Sequence, residues 1–155
     1  MKAPKPSFQQ IKEFIELPTI AMVGVSADPK RFGYTAYKEL QAKGWNIIPV
    51  NPKYETFEGK KCYPDLKSIP DEIPGVLSMV TKANTVEILQ QAQELGIKKI
   101  WVQQMSETPE AVNFATENGM NVVFRKCILM FYPPVKSVHS FHRWMVKLFT
   151  TDKMP

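Results

Sequence analysis

The sequence predicts a single α/β domain with a doubly wound, parallel sheet of five strands and helices on both faces. Its 155 residues suit one domain. Apolar runs of strand length alternate with segments of helical period, as in proteins with parallel sheets. The 13 prolines and 7 glycines fall between these segments and separate them. A composition that is 44% hydrophobic and 23% charged is typical of globular domains, which excludes a wholly disordered chain.

The first third of the chain predicts helix, strand, helix and strand. Ser7 can cap a helix over residues 7–17, which Pro18 closes. Residues 19–25 form a continuous apolar run, which predicts a strand buried on both faces in the middle of a parallel sheet. A helix is expected over 31–43, ended by a glycine, and a second buried strand over 45–50.

The middle of the chain has an irregular segment followed by the third strand. Prolines interrupt residues 52–74, and only Leu66 and Ile69 indicate a short helical turn. Residues 76–80 predict a strand, and Asn84 can cap a helix that continues to Leu95.

The last third predicts two more strands and two helices. A fourth strand is expected over 98–102 and a fifth over 121–124. Between them, Thr108 and Pro109 open a helix as its cap and first residue. An amphipathic, basic helix is expected over 137–150. Right-handed crossovers leave few topologies, and we predict a Rossmann-like order of 3-2-1-4-5, with a core over 18–130.

Charge and cysteine content narrow the function classes. A net charge of +5 favours anionic partners without choosing among nucleotides, nucleic acids and membranes. Cys62 and Cys127 are too few for a disulfide framework and lack metal-type spacing. His139 and His142 share a helix face but have no acidic or thiol neighbour, so no metal site is predicted. Without a leader sequence or a membrane-length apolar run, we expect a cytoplasmic protein.

In a doubly wound sheet, ligands bind beyond the carboxyl ends of the strands, where the strand order reverses. In the predicted order this switch point lies between the first and fourth strands. The candidate loops are therefore residues 24–33, 51–54, 81–84 and 103–108.

The first of these loops has features of a pyrophosphate site. It leads from a buried strand into a helix, whose free N–H groups attract anions. Gly24 allows a close backbone approach, Ser26 offers a hydroxyl, and Lys30 and Arg31 add positive charge. The segment that ends at Gly33 matches neither G-x-G-x-x-G nor a Walker A motif. A plain strand-to-helix turn, in which glycine serves only the geometry, is the alternative.

The end of the second strand bears on which nucleotide is bound. NAD-dependent enzymes usually place an acid there to bind the ribose hydroxyls. This chain has Asn51, Pro52 and Lys53 instead. A lysine disfavours NAD and would attract a phosphorylated ribose, which leaves NADP or coenzyme A. A solvated turn lysine is the alternative.

The residues of these loops resemble those of a known protein family. The chain resembles the stand-alone CoA-binding domains related to the N-terminal domain of the succinyl-CoA synthetase alpha subunit, over roughly residues 18–130. The segments that show the resemblance are Gly24-Val25-Ser26 with Asp28-Pro29 and Arg31, Val50-Asn51-Pro52-Lys53-Tyr54, Gly59 to Pro64, Ile69-Pro70, Gly96, Trp101-Val102-Gln103 and Arg125-Lys126-Cys127.

The resemblance implies coenzyme A as the ligand and a role for each loop. Gly24, Val25, Ser26 and Arg31 would form the pyrophosphate loop. The adenosine side would be formed by Asn51, Pro52 and Lys53, with Lys53 near the phosphorylated ribose. Thr81, Lys82 and Ala83 would flank the adenine or pantetheine path, and Gln103 and Gln104 would line the other wall.

The chain departs from the synthetase in ways that favour binding without catalysis. The synthetase uses a phosphorylated histidine from a second domain, and here the only histidines lie in the final predicted helix. We therefore expect a non-catalytic binding or regulatory module for coenzyme A or an acyl-CoA. An NADP-dependent oxidoreductase, a partial acyl-CoA ligase and a nucleotide-sensing regulator stay open. The expected partner is a small nucleotide ligand, with no nucleic acid or membrane, and with a homodimer possible through the final helix.

Overall fold

The computed structural model describes residues 3–132. Its strands, in chain order, are Thr19–Val23 (β1), Asn46–Val50 (β2), Thr56–Phe57 (β3), Lys60–Lys61 (β4), Gly75–Ser78 (β5), Lys99–Gln103 (β6) and Asn121–Lys126 (β7). Its α-helices are Phe8–Ile15 (α1), Phe32–Ala42 (α2), Thr85–Glu94 (α3), Pro109–Glu117 (α4) and Ile128–Phe131 (α5). Single 3₁₀ turns span Leu66–Ser68 and Lys82–Asn84.

The predicted fold class is confirmed, with one strand in a different place. Five parallel strands pair in the order β2-β1-β5-β6-β7, which is 2-1-3-4-5 when these five are counted along the chain. The third strand therefore lies between the first and the fourth, and not beside the second as in the predicted order 3-2-1-4-5. Ser78 of β5 pairs with Val23 on one side and with Val102 on the other.

Burial and edge protection explain this position of β5. All four of its residues are buried, which suits a central strand and not an edge. The free edge of β2 is covered instead by the segment that precedes β5. There, the Tyr63 N–H donates to the Pro49 carbonyl (3.1 Å) and the Asn51 N–H donates to the Tyr63 carbonyl (2.9 Å). Covering an edge in this way satisfies backbone groups that would otherwise be open to pairing.

Helices cover both faces of the sheet, as predicted. Along β1, Ala21 and Val23 belong to an apolar cluster that includes Leu89 of α3 and Val112 of α4. The alternate residues, which include Met22, belong to a second cluster with α1, α2 and α5. This alternation is the two-residue period of a strand between two apolar layers.

Of the three capping residues predicted from the sequence, two form the expected capping hydrogen bond. Ser7 forms a capping box with Gln10, in which the Ser7 hydroxyl accepts from the Gln10 N–H (3.1 Å). The Thr108 hydroxyl accepts from the Ala111 N–H (3.1 Å). Asn84 precedes α3, but its side chain makes no capping bond and donates instead to the Thr81 hydroxyl (3.3 Å).

Other boundaries and short elements differ from the prediction. The first helix ends at Ile15 and not at residue 17. The predicted turn at Leu66 is present, whereas the β3–β4 pair and α5 were not predicted. The expected helix over 137–150 lies outside the described residues. None of the helices within residues 3–132 is both long and apolar enough to cross a bilayer.

Two glycines let α2 start directly against the end of the sheet. Gly24 has a φ of +92°, and a Cβ atom there would lie 2.9 Å from the Met79 carbonyl carbon. A Cβ atom at Gly33 would overlap the Gly24 carbonyl oxygen. Both glycines are therefore required by backbone packing, whether or not a ligand is bound.

We expect Gly24→Ala to destabilise the protein more than Gly59→Ala. Both positions have a positive φ, which costs an alanine about 1–2 kcal/mol. A Cβ atom at Gly59 meets nothing within 4 Å, whereas at Gly24 the backbone overlap adds about 1–3 kcal/mol. Urea unfolding of both variants measures the difference. Equal losses would show that the close approach at Gly24 has no energetic weight.

Candidate functional site

The four loops that follow strands β1, β2, β5 and β6 share one edge of the sheet, because parallel strands all end on the same side. The reversal of strand order falls between β1 and β5, because the chain runs from β1 outward to β2 and then continues on the other side of β1 with β5. The prediction gave that position beside β1 to the fourth strand. There the Met79 N–H donates to the Val23 carbonyl (2.8 Å). The loops after β1 and β5 are thus in direct contact at the switch point.

The loop after β1 is held by its own short hydrogen bonds. The Ser26 hydroxyl accepts from the Asp28 N–H (3.1 Å), and the Asp28 carboxylate accepts from the Lys30 N–H (2.9 Å). Val25 is fully buried in the core, so its side chain anchors the loop. Lys30 and Arg31 are exposed.

The helix that follows this loop starts without a capping side chain. Arg31 occupies the N-cap position of α2 and makes no side-chain capping bond, and no acidic residue lies in the first turn. By contrast, α1 and α4 are capped by side chains and α3 has Glu87 in its first turn. Among residues 3–132, no side chain therefore caps the first turn of α2, and the Asp28 carboxylate accepts from the Lys30 N–H just ahead of it.

The side chain of Asn51 joins this loop to the loop after β2. Its amide nitrogen donates to the Val25 carbonyl (2.8 Å), and its amide oxygen accepts from the Lys53 N–H (2.9 Å). A second link runs from the Ala27 N–H to the Tyr54 hydroxyl (3.1 Å). Pro52 and Lys53 are exposed, and the bonds of Asn51 keep their loop beside the Gly24 turn at the carboxyl edge of the sheet, here called the rim.

The β3–β4 segment supports the Asn51 loop from below. The thiol of Cys62 donates to the Asn51 carbonyl (3.6 Å), and the Cys62 N–H donates to the Glu55 carbonyl (2.9 Å). Phe57 packs edge-on against Tyr37 of α2 with ring centroids 4.8 Å apart. Burial raises the pKa of the Cys62 thiol and that of the Tyr37 hydroxyl above their usual values.

The loops after β5 and β6 are joined by a buried threonine. The Thr85 hydroxyl lies within hydrogen-bonding distance of the Ser106 carbonyl (2.7 Å) and the Thr81 carbonyl (3.3 Å). Thr81, Lys82 and Ala83 are exposed at this rim. The Thr85 contact has no signal in the sequence beyond its place in a helical first turn.

The two glutamines after β6 have different environments. Gln103 is 7% exposed, and its side-chain oxygen accepts from the Ile128 N–H (3.1 Å), which fixes the start of α5. Gln104 is exposed, and its N–H donates to the Lys126 carbonyl (3.2 Å). Of this pair, Gln104 has the side chain open to the rim.

Two buried polar atoms near this edge have no partner among the described residues. They are the Ser78 hydroxyl at the end of β5 and one carboxylate oxygen of Glu107 in the loop after β6. Such atoms accept a water molecule or a polar ligand group. Within residues 3–132, no group of His, Cys, Asp and Glu side chains is arranged to hold a metal ion.

These features define the class of protein. The chain forms a doubly wound, parallel α/β domain with interlinked loops at the carboxyl edge of its sheet. Residues 18–133 match the sequence profile of the CoA binding domain family. The chain belongs to that family. This membership supports coenzyme A as the ligand and gives no support to NADP.

Two relatives illustrate the range of the family. The chain is 32% identical over 124 residues to the uncharacterized protein YneT of Bacillus subtilis, covering 79% of this chain and 92% of that protein. It is 30% identical over 120 residues to the alpha subunit of the ADP-forming acetate–CoA ligase II of Pyrococcus furiosus. That match covers 70% of this chain but only 26% of the ligase subunit.

Two solved structures share the fold over nearly their whole length. A hypothetical protein from Pyrococcus horikoshii superimposes with a TM-score of 0.74 at 32% identity, covering 94% of this chain and 99% of that one. A conserved hypothetical protein from Pyrococcus furiosus has a TM-score of 0.70 at 33% identity, covering 73% and 97% respectively.

We expect Asn51→Ala to lower the free energy of unfolding by about 1–2 kcal/mol, because two backbone groups lose their partners at a partly buried joint. Asn46→Ala is the matched control, since the exposed Asn46 side chain donates to the hydroxyl of the half-buried Thr19 and to no backbone group among residues 3–132. Its loss should stay below about 0.5 kcal/mol. Urea unfolding at equal protein concentration gives both values, and equal effects would argue against Asn51 as a joint.

We also expect the two thiols to differ in reactivity. Burial and a raised pKa leave Cys62 with little accessible thiolate near neutral pH, whereas Cys127 is only half-buried. Alkylation of Cys62 by iodoacetamide should be at least roughly tenfold slower than that of Cys127. Mass spectrometry of the Cys62→Ser and Cys127→Ser variants separates the two rates, and urea should equalise them. Equal rates in the folded protein would contradict the packing around Cys62.

Proposed function

We propose that the protein binds coenzyme A or an acyl-CoA along the carboxyl edge of its sheet, as a carrier, sensor or regulatory module without chemistry of its own. The observation that supports this most is the Asn51 joint. It keeps an exposed lysine beside the loop that leads into an uncapped helix. Two sources of positive potential therefore face the same rim.

The start of α2 suits the diphosphate. An uncapped N-terminus presents free N–H groups and the positive end of the helix dipole. Lys30 and Arg31 are exposed just before it and add charge. The hydrogen bonds of Ser26 and Asp28 preorganise the loop, which lowers the entropy lost when a ligand binds.

The loop after β2 suits the phosphorylated ribose. The side chain of Lys53 is exposed while its backbone N–H is fixed by Asn51, so the cation is anchored but free to reach an anion. The loop begins with Asn51, Pro52 and Lys53, so it lacks the acidic residue that binds the ribose hydroxyls in an NAD site. Coenzyme A, which has a 3′-phosphate on its ribose, matches this charge.

The remaining rim would guide the pantetheine arm. Thr81, Lys82 and Ala83 form one exposed side, and Gln104 stands on the loop opposite. Their polar groups suit the two amides of pantetheine. Gln103 supports this wall indirectly, by fixing α5.

Binding without catalysis is favoured by the surroundings of the rim hydroxyl. Ser26 accepts a hydrogen bond from a backbone N–H, and no described histidine or carboxylate is bonded to it as a base. A second candidate function is the CoA-binding part of an ADP-forming acyl-CoA ligase, which the 30% identity to such an alpha subunit favours. The chain spans about a quarter of that subunit, so ligase activity would require further domains or chains.

Calorimetric titration with coenzyme A and dephospho-coenzyme A tests the proposal. We expect the protein to prefer coenzyme A by about tenfold, the value of one charge-assisted contact with Lys53. Lys53→Gln should reduce this preference to within about twofold. Lys98→Gln, which removes an equal charge from the exposed loop before β6, should retain it.

Two results would contradict the proposal in different ways. Absence of binding heat with coenzyme A at millimolar concentration would overturn coenzyme A as the ligand. Equal affinity of the unmodified protein for both ligands would exclude the role of Lys53 at the 3′-phosphate.

A further inference from the structure

The strand at the far end of the rim has a bulge that the proposed function does not use. In the pairing of β6 with β7, Trp101 lies opposite Val123, and Gln103 lies opposite Lys126. From the first pair to the second, β6 advances by two residues and β7 by three. Bulges are rare in parallel pairs and often occur next to binding sites, where they re-aim a side chain. The extra residue falls at Phe124 or Arg125.

The backbone shows that Arg125 is the unusual residue. It has a φ of +63°, in the left-handed region that a residue with a side chain rarely adopts. Met105, on the neighbouring loop after β6, has a φ of +72° and is 71% exposed. Non-glycine residues in this conformation cost energy and tend to occur where function requires them.

The fold holds this arrangement firmly. The Lys126 carbonyl accepts hydrogen bonds from the Trp101 indole N–H (2.9 Å) and the Gln104 N–H (3.2 Å). Phe124, on the other side of Arg125, is buried in the core. With both neighbours fixed, the backbone directs Arg125 away from the core, and its side chain is exposed.

The charge of Arg125 is not used by the protein within the described residues. The salt bridges found among residues 3–132 join Lys12 to Glu16, Lys38 to Glu58 and Lys67 to Glu94. Glu107 lies on the adjacent loop at the same edge, but none of these three salt bridges joins it to Arg125. A strained, outward-facing arginine without a carboxylate partner in the protein is suited to bind a carboxylate group of a ligand.

The distance along the rim shows which part of the ligand would reach Arg125. Adenosine at β2 and the diphosphate at β1 would direct the pantetheine arm toward β5, β6 and β7. Three strand spacings separate β1 from β7, roughly 14 Å. A pantetheine arm of about 13 bonds, extended like a peptide backbone at about 1.2 Å per bond, reaches about 15 Å. Its thioester end therefore arrives near the end of β7.

We infer that Arg125 selects acyl-CoA ligands whose acyl group ends in a carboxylate. This inference rests on the proposed function, because it assumes that coenzyme A lies along the rim in the stated direction. The planar guanidinium pairs with the terminal carboxylate through two N–H groups. Free coenzyme A and neutral acyl thioesters lack this contact.

Titration with succinyl-CoA, butyryl-CoA and free coenzyme A tests the inference. The first two have four-carbon acyl groups and differ in the terminal carboxylate. We expect the unmodified protein to prefer succinyl-CoA over butyryl-CoA by about tenfold, the order of one charge-assisted contact. Arg125→Gly should reduce this preference to within about twofold and leave free coenzyme A bound as before. Glycine accepts the positive φ, so this variant should fold at least as well.

Further variants sharpen the test. Arg125→Gln removes the charge and retains most of the length, and it should also lose the preference, whereas Lys98→Gln should retain it. Equal affinity of the unmodified protein for succinyl-CoA and butyryl-CoA, with free coenzyme A bound, would overturn the inference and leave the proposed function intact. An equal weakening of all three ligands by Arg125→Gly would also overturn it. Failure to bind any of them would overturn the proposed function itself.

Discussion

The amide side chain of Asn51 connects the two loops on which the rest of the site depends. It donates to the Val25 carbonyl and accepts from the Lys53 N–H, so one side chain links the loop after β1 to the loop after β2. Pairing of the two strands, through Val23 and Val50, already sets the strand ends side by side, and Asn51 extends this link into the loops beyond them. The Cys62 thiol, bonded to the Asn51 carbonyl, ties this joint to the β3–β4 segment.

Close backbone packing gives the same rim its rigidity. Gly24 lies against the backbone at Met79, and Gly33 brings the first turn of α2 against Gly24. The glycines that suggest phosphate binding therefore already have a structural task. The stronger indication of an anion is the bare start of α2, because α1 and α4 are capped by side chains and α2 is not. Free N–H groups at a helix start that is held in a fixed place are what a phosphate needs.

The candidate binding groups also differ from one end of the rim to the other. Lys53 stands at β2, the uncapped helix begins after β1, and the bulged end of β7 presents Arg125. A ligand with phosphates at one end and a variable group at the other matches this order. Relatives of very different length share the domain: YneT consists almost entirely of it, whereas in the ligase subunit it is about a quarter of the chain. The same domain thus occurs almost alone and as part of a larger protein.

The sequence by itself determined the five strands of the main sheet, the helices α1 to α4 and the residue types of the loops, because apolar runs, caps such as Thr108 and the Asn51-Pro52-Lys53 turn are local signals. It did not determine the place of β5, since the segment that covers the edge of β2 does so through the long-range bonds of Tyr63. Likewise, no local pattern indicates that Gln103 supports α5 or that Arg125 lies on a bulge. These features depend on which strands become neighbours, and only the tertiary structure decides that, because pairing and burial join residues far apart in the chain.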